Sequence, residues 1–246
     1  MSQPVDPDAV TPTGSVAVCY RHPDRATRIR CTRCERPICP ECMIPASVGF
    51  QCPDDVRDGN KGMRRAAPRT LAGGVMSARP GSITIGLIVI NVLLFLVQQA
   101  SPTFTGRFVL WGSGVERGEY YRLITAAFLH GSITHVAFNM FSLYVIGTQV
   151  ERLLGTTRFL AVYLVSALAG TVASFALQPS AASSLGASGA IFGLLGALLV
   201  IVRRLRLDAG PILGMLGLNL VFTFLVPGID WRAHIGGLIA GALLTW

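Results

Sequence analysis

Ser82-Ile-Thr-Ile-Gly-Leu-Ile-Val-Ile-Asn-Val-Leu-Leu-Phe-Leu-Val-Gln-Gln-Ala100 contains no charged residue. Crossing roughly 30 Å of hydrocarbon takes about 20 residues of helix, so this stretch reads as a transmembrane span and the protein as an all-α membrane protein. The composition agrees, with 51% hydrophobic and 14% charged residues, where soluble domains carry about a quarter charged. Charge is also unevenly placed. Residues 1–80 hold 12 of the 21 Lys and Arg and 8 of the 13 Asp and Glu. A polar head therefore precedes an apolar body.

Working outward from the first span, five more apolar runs follow: His135–Val150, Arg158–Leu177, Ser188–Val202, Pro211–Val226 and Ala233–Trp246. Several are short for free-standing spans. Glycines recur within them (Gly147, Gly170, Gly189, Gly193, Gly196, Gly214, Gly217, Gly237, Gly241), and small residues are what close helix packing in lipid uses. A compact six-helix bundle over 81–246 is expected. Met1 to Gly14 is polar and Pro-rich without an apolar run, so no signal peptide is expected and the N-terminus is assigned to the cytoplasm. The basic linker 56–80, the turn from Glu151 to Arg158 and the Arg203, Arg204, Arg206 cluster then all fall inside, as the positive-inside rule asks. Residues 101–134 fall outside, and their apolar patches suggest folding against the membrane surface. The net charge of +8 is explained by these flanking residues. With no basic helix or aromatic stripe, nucleic-acid binding is not expected.

Polar residues inside spans are expensive and mark function by default. His135 and Asn139 lie at i and i+4 and share a helix face. Ser188 opens the fourth span, and His234 lies near the start of the sixth. The topology, assigned without these residues, puts all four in one outer-leaflet layer. Alone, each has a bland reading: serine among small residues as packing, histidine as a structural group or a haem or metal ligand, asparagine as interhelical glue. Together they fit acyl transfer, because a serine hydroxyl needs a base and neutral histidine is the usual one. No Asp or Glu lies within a span to complete a triad, so a Ser188–His234 dyad is the economical form. The glycines beside both residues allow their helices to approach.

The head carries all six cysteines as Cys19-x2-His22, Cys31-x2-Cys34, Cys39-x2-Cys42 and Cys52-x2-Asp55. Eight potential ligands suffice for two tetrahedral zinc sites, and metal can stabilise a segment too small for a core. Disulfides are disfavoured by a reducing compartment. A single site with Asp55 idle stays open.

Two resemblances follow from these residues. His130-Gly-Ser-Ile-Thr-His135-Val-Ala-Phe-Asn139, Glu151-Arg152, Gly186-Ala187-Ser188-Gly189 and Ala233-His234-Ile235-Gly236-Gly237 resemble the ordered motifs of the rhomboid intramembrane serine proteases, from about Tyr121 onward. The resemblance implies a six-transmembrane-helix rhomboid-like bundle in which Ser188 is nucleophile and His234 base. It also implies that Asn139, His135 and the Ser188 N–H form the oxyanion hole, and that catalysis needs no cofactor. Tyr121-Arg122 stands where the family usually has Trp-Arg, and Phe192 where many members have Tyr. The cysteine spacing of residues 19–55 resembles a B-box-type zinc finger. Its cross-brace implies one site of Cys19, His22, Cys39 and Cys42 and another of Cys31, Cys34, Cys52 and Asp55. Residues 1–18 are expected to be disordered.

The expected function is therefore hydrolysis, in the bilayer, of peptide bonds in or beside transmembrane segments of protein substrates. A rhomboid-like protein that binds such helices without cutting is the main rival, and it has no need of both Ser188 and His234. A channel or transporter with a zinc-finger regulator would want polar groups through the whole bilayer. The head's partner is open: a cytoplasmic protein, a lipid headgroup or the protease core itself.

Overall fold

The computed structural model describes residues 17–65, 68–76 and 79–246, with the side chains of 62–65 and 102 outside that description. The segment expected to be disordered, 1–18, lies outside it except for its last two residues. The chain forms two compact units that divide between Ala67 and Pro68.

In the first unit, two short antiparallel strands, β1 (Ile44–Pro45) and β2 (Phe50–Gln51), are followed by helix α1 (Pro53–Arg65). Its buried apolar groups are Ile38 and five of the cysteines, Cys19, Cys31, Cys39, Cys42 and Cys52. Helix α1 starts within the head and continues into 56–80, so the first part of the expected linker is helical.

The second unit is a helical bundle. Helix α2 (Ser82–Ala100) is followed by α3 (Pro102–Phe108), strand β3 (Leu110–Trp111), α4 (Gly112–Glu116), α5 (Arg122–Thr125) and a 3-10 turn over Ala126–Phe128. Helix α6 (Ile133–Ser142) passes through a π-turn, Leu143–Gly147, into α7 (Thr148–Leu154). Then come α8 (Thr156–Leu177), β4 (Ser183–Ser184), α9 (Ser188–Arg204), α10 (Gly210–Leu225) and α11 (Trp231–Thr245). Helices thus stand at all six expected runs. Among the described residues, α2 and α8 are long and apolar enough to cross a membrane, and α10 is a shorter apolar helix.

Three side chains knit this unit. Glu151, 2% exposed, accepts from the N–H groups of Ile83 and Thr84 and from the Thr84 hydroxyl at 3.3, 2.9 and 2.8 Å. The first turn of α2, whose N–H groups have no helical partners, is thereby tied to α7. Residues 101–132, irregular in sequence, are gathered by Arg122. Its guanidinium is buried, pairs with Glu119 at 2.5 Å and donates to the Gly106 and Val109 carbonyls at 2.9 and 2.8 Å. The third is Gln98, whose amide accepts from the His130 N–H and donates to the His130 carbonyl.

Helices α8, α9 and α11 form the tightest part of the core. A Cβ placed on Gly237 would fall 1.9 Å from the Gly189 carbonyl oxygen, and one on Gly241 1.9 Å from that of Gly193. Here α9 and α11 meet backbone to backbone, as the small residues suggested. Gly214 and Gly217 on α10 depart from that expectation, since each faces open space. Thr223 is the buried residue of α10.

Candidate active site

Ser188 is the first residue of α9, and the chain reaches it through Gly186 at φ +136°. A side chain at 186 would be strained in that conformation and would meet the His135 ring at 3.0 Å. Glycine there lets the loop bring His135 and Ser188 to the same place. The antiparallel pairing of β4 with β3 anchors the loop's other end.

On α11, His234 lies 6% exposed, one turn into a helix whose first N–H groups are capped by the Asp230 carboxylate. His234 Nε2 is 2.7 Å from Ser188 Oγ. Its ring lies flat on Phe192, with centroids 4.2 Å apart and planes at 15°. The other ring nitrogen, Nδ1, is 2.8 Å from the Thr223 hydroxyl. Asp230 is engaged elsewhere: Oδ2 accepts from Ser174 Oγ at 2.5 Å, and Oδ1 from the N–H groups of Arg232 and Ala233.

Ser188, His234, His135 and Asn139 all line one cavity of about 840 Å³. Asn139 is 3% exposed, and its Nδ2 has no hydrogen-bond partner among the described residues. A buried amide donor without a partner is costly, so one lining a cavity is placed to serve what enters. His130 packs edge-on against His135, with centroids 5.2 Å apart. The four residues singled out in the spans are thus brought together. Thr223, Asn219 and Asp230, not singled out, also line the cavity. Asn219 and Thr223 stand at i and i+4 in an apolar run, the same signal that marked His135 and Asn139.

The head holds two clusters of possible metal ligands. In one, His22 Nδ1 lies 3.3, 3.5 and 3.8 Å from the sulfurs of Cys39, Cys42 and Cys19. In the other, Asp55 Oδ2 lies 3.0 and 3.2 Å from the sulfurs of Cys31 and Cys52, and Cys34 Sγ is 3.8 Å from Cys52 Sγ. Ligands about 2.0–2.3 Å from a tetrahedral zinc ion stand roughly 3.3–3.8 Å apart. The first donor set has that spacing. In the second, Cys34 and Cys52 have it, while Asp55 stands closer to its sulfurs, as a thiol-to-carboxylate hydrogen bond requires. Bonding from the Cys31, Cys34 and Cys52 thiols holds the Asp55 carboxyl down at about 2. Among the described residues all six cysteines are free thiols.

The rhomboid domain family model matches residues 117–246. The chain is 39% identical over 184 residues to rhomboid protease GluP of Bacillus subtilis, covering 70% of this chain and 36% of GluP. It is 37% identical over 138 residues to the putative rhomboid protease YdcA of the same organism, covering 54% of this chain and 69% of YdcA. To rhomboid protease AarA of Providencia stuartii it is 29% identical over 201 residues, covering 67% of this chain and 71% of AarA. The matched region spans little more than a third of GluP. The family-model match, residues 117–246, contains every residue of the cavity described above, and the chain, a membrane protein, belongs to the rhomboid family.

Proposed function

We propose that this protein is an intramembrane serine endopeptidase that cuts transmembrane or membrane-adjacent segments of other membrane proteins. The observation that carries the reading is the 2.7 Å approach of Ser188 Oγ to His234 Nε2 at the wall of a cavity. Ser188 Oγ passes its proton to Nε2 and attacks the substrate carbonyl carbon. The oxyanion is received by the Asn139 amide, the His135 ring and the Ser188 N–H. His234 then protonates the departing amine, and water, activated by the same nitrogen, releases the acyl group. The rhomboid protease relatives support this assignment.

The six helices are read as six spans, with the N-terminus cytoplasmic and the cavity toward the outer leaflet. The charge distribution supports that orientation. The head is read as a zinc-binding domain of two structural ions, one held by Cys19, His22, Cys39 and Cys42 and one by Cys31, Cys34, Cys52 and Asp55. Zinc there stabilises the fold and takes no part in proteolysis. The head's partner is read as a cytoplasmic one.

The test is a fluorophosphonate probe together with a model transmembrane substrate, applied to the wild type, Ser188→Ala and His234→Ala. Both variants are expected to lose labelling and cleavage while expression and melting stay near wild type. Cleavage by Ser188→Ala would end the assignment.

A further inference from the structure

The hydroxyl of Thr223 touches two groups. Its Oγ1 is 2.7 Å from the Asn219 carbonyl oxygen, one turn earlier in α10, and 2.8 Å from His234 Nδ1. A carbonyl oxygen carries no hydrogen, so the first contact is attractive only if the hydroxyl donates its single proton there. Toward Nδ1 the same oxygen then presents lone pairs alone and accepts. Nδ1 therefore carries a hydrogen. In a neutral imidazole this leaves Nε2 bare, and Nε2 is the nitrogen facing Ser188.

We propose that Thr223 is a positioning residue that fixes the tautomer of His234, so that the resting imidazole accepts from Ser188 and does not donate to it. The proposal rests on the protease reading above and adds to the dyad a neutral third member from another helix. Such an orienting role is often filled by a carboxylate, but Asp230 is occupied by Ser174 and by the start of α11. A hydroxyl avoids the cost of holding a charge at membrane depth, and its own proton is satisfied within α10. Thr223 is also 3% exposed, the deepest point of a helix whose Gly214 and Gly217 face open space. Its contact with His234 is therefore not incidental surface packing.

The experiment is nitrogen NMR of the protein in detergent, with 15N-labelled histidine and His234 assigned by difference with His234→Ala, alongside steady-state cleavage. In the neutral ring the wild type is expected to carry its proton on Nδ1, and Thr223→Ser to do the same. Thr223→Val, which keeps the shape and removes the acceptor, is expected to lose that preference. Its kcat should fall on the order of tenfold at nearly unchanged KM, the scale of one lost hydrogen bond in the transition state. A purely structural threonine would leave the tautomer where it was. A wild-type proton on Nε2 overturns the proposal, as does Thr223→Val with wild-type kcat. Should Thr223→Val fail to fold, the wild-type spectrum decides alone. A wild type that neither cleaves nor labels would sink the protease reading, while the spectrum still reports the tautomer.

Discussion

Phe192 stacks on the His234 imidazole, with ring centroids 4.2 Å apart. Aromatic stacking of this kind contributes about 0.5–1.5 kcal/mol, so Phe192→Ala is expected to lower kcat/KM roughly two- to tenfold and Phe192→Tyr to leave it near wild type. Full activity in Phe192→Ala would reduce the ring to filler. Asn139 offers a sharper test. Losing one oxyanion donor typically costs on the order of 10²–10³-fold in kcat, and Asn139→Ala should fall in that range without reaching zero. Unchanged turnover would return Asn139 to helix glue. Ser188, His135, Asn139 and His234 were legible in the sequence because each is a polar interruption of an apolar run. Asn219 and Thr223 interrupt an apolar run in the same way, but the role of Thr223 was not legible, since a threonine in a span commonly bonds to the carbonyl one turn back. It does so here too, and its second contact, to a residue on the following helix, leaves no mark in sequence spacing.

Helix positions were legible for the same reason that the bundle stands: apolar length is written directly into the chain. Ser82–Ala100 is the clearest case, while α6 and α7 were foreseen as one run and turn out to be joined by a π-turn. The arrangement of 101–132 was not legible. Arg122 organises it through carbonyls 13 and 16 residues earlier, and no periodicity encodes such contacts. Nor did the presence of glycine distinguish contact from open space. That contrast yields a paired prediction. Gly237→Ala puts a methyl 1.9 Å from the Gly189 carbonyl, and overpacking costs about 1–3 kcal/mol, so its melting point and Ser188 labelling should both drop. Gly217→Ala, with nothing nearby, should melt at or above the wild-type temperature. Equal melting of the two would refute the contact.

At the scale of the whole molecule, the two units draw stability from different sources. The head has Ile38 and its cysteines at its centre, whereas the bundle has an extended apolar core. Metal analysis of the purified chain should find two zinc ions, and one would sink the cross-brace. Chelation should unfold the head and leave labelling of Ser188 unchanged. Lost labelling would instead show that the head governs the protease. The backbone contact between α9 and α11 also has an evolutionary meaning. Apart from synonymous third-base changes, every single-base change of a glycine codon either adds a Cβ or stops the chain, so Gly237 and Gly241 have no neighbouring residue to drift into. A saturation library of this protein would show them as columns with no tolerated residue, beside exposed positions of α2 such as Leu93 and Leu96 where one apolar residue replaces another freely.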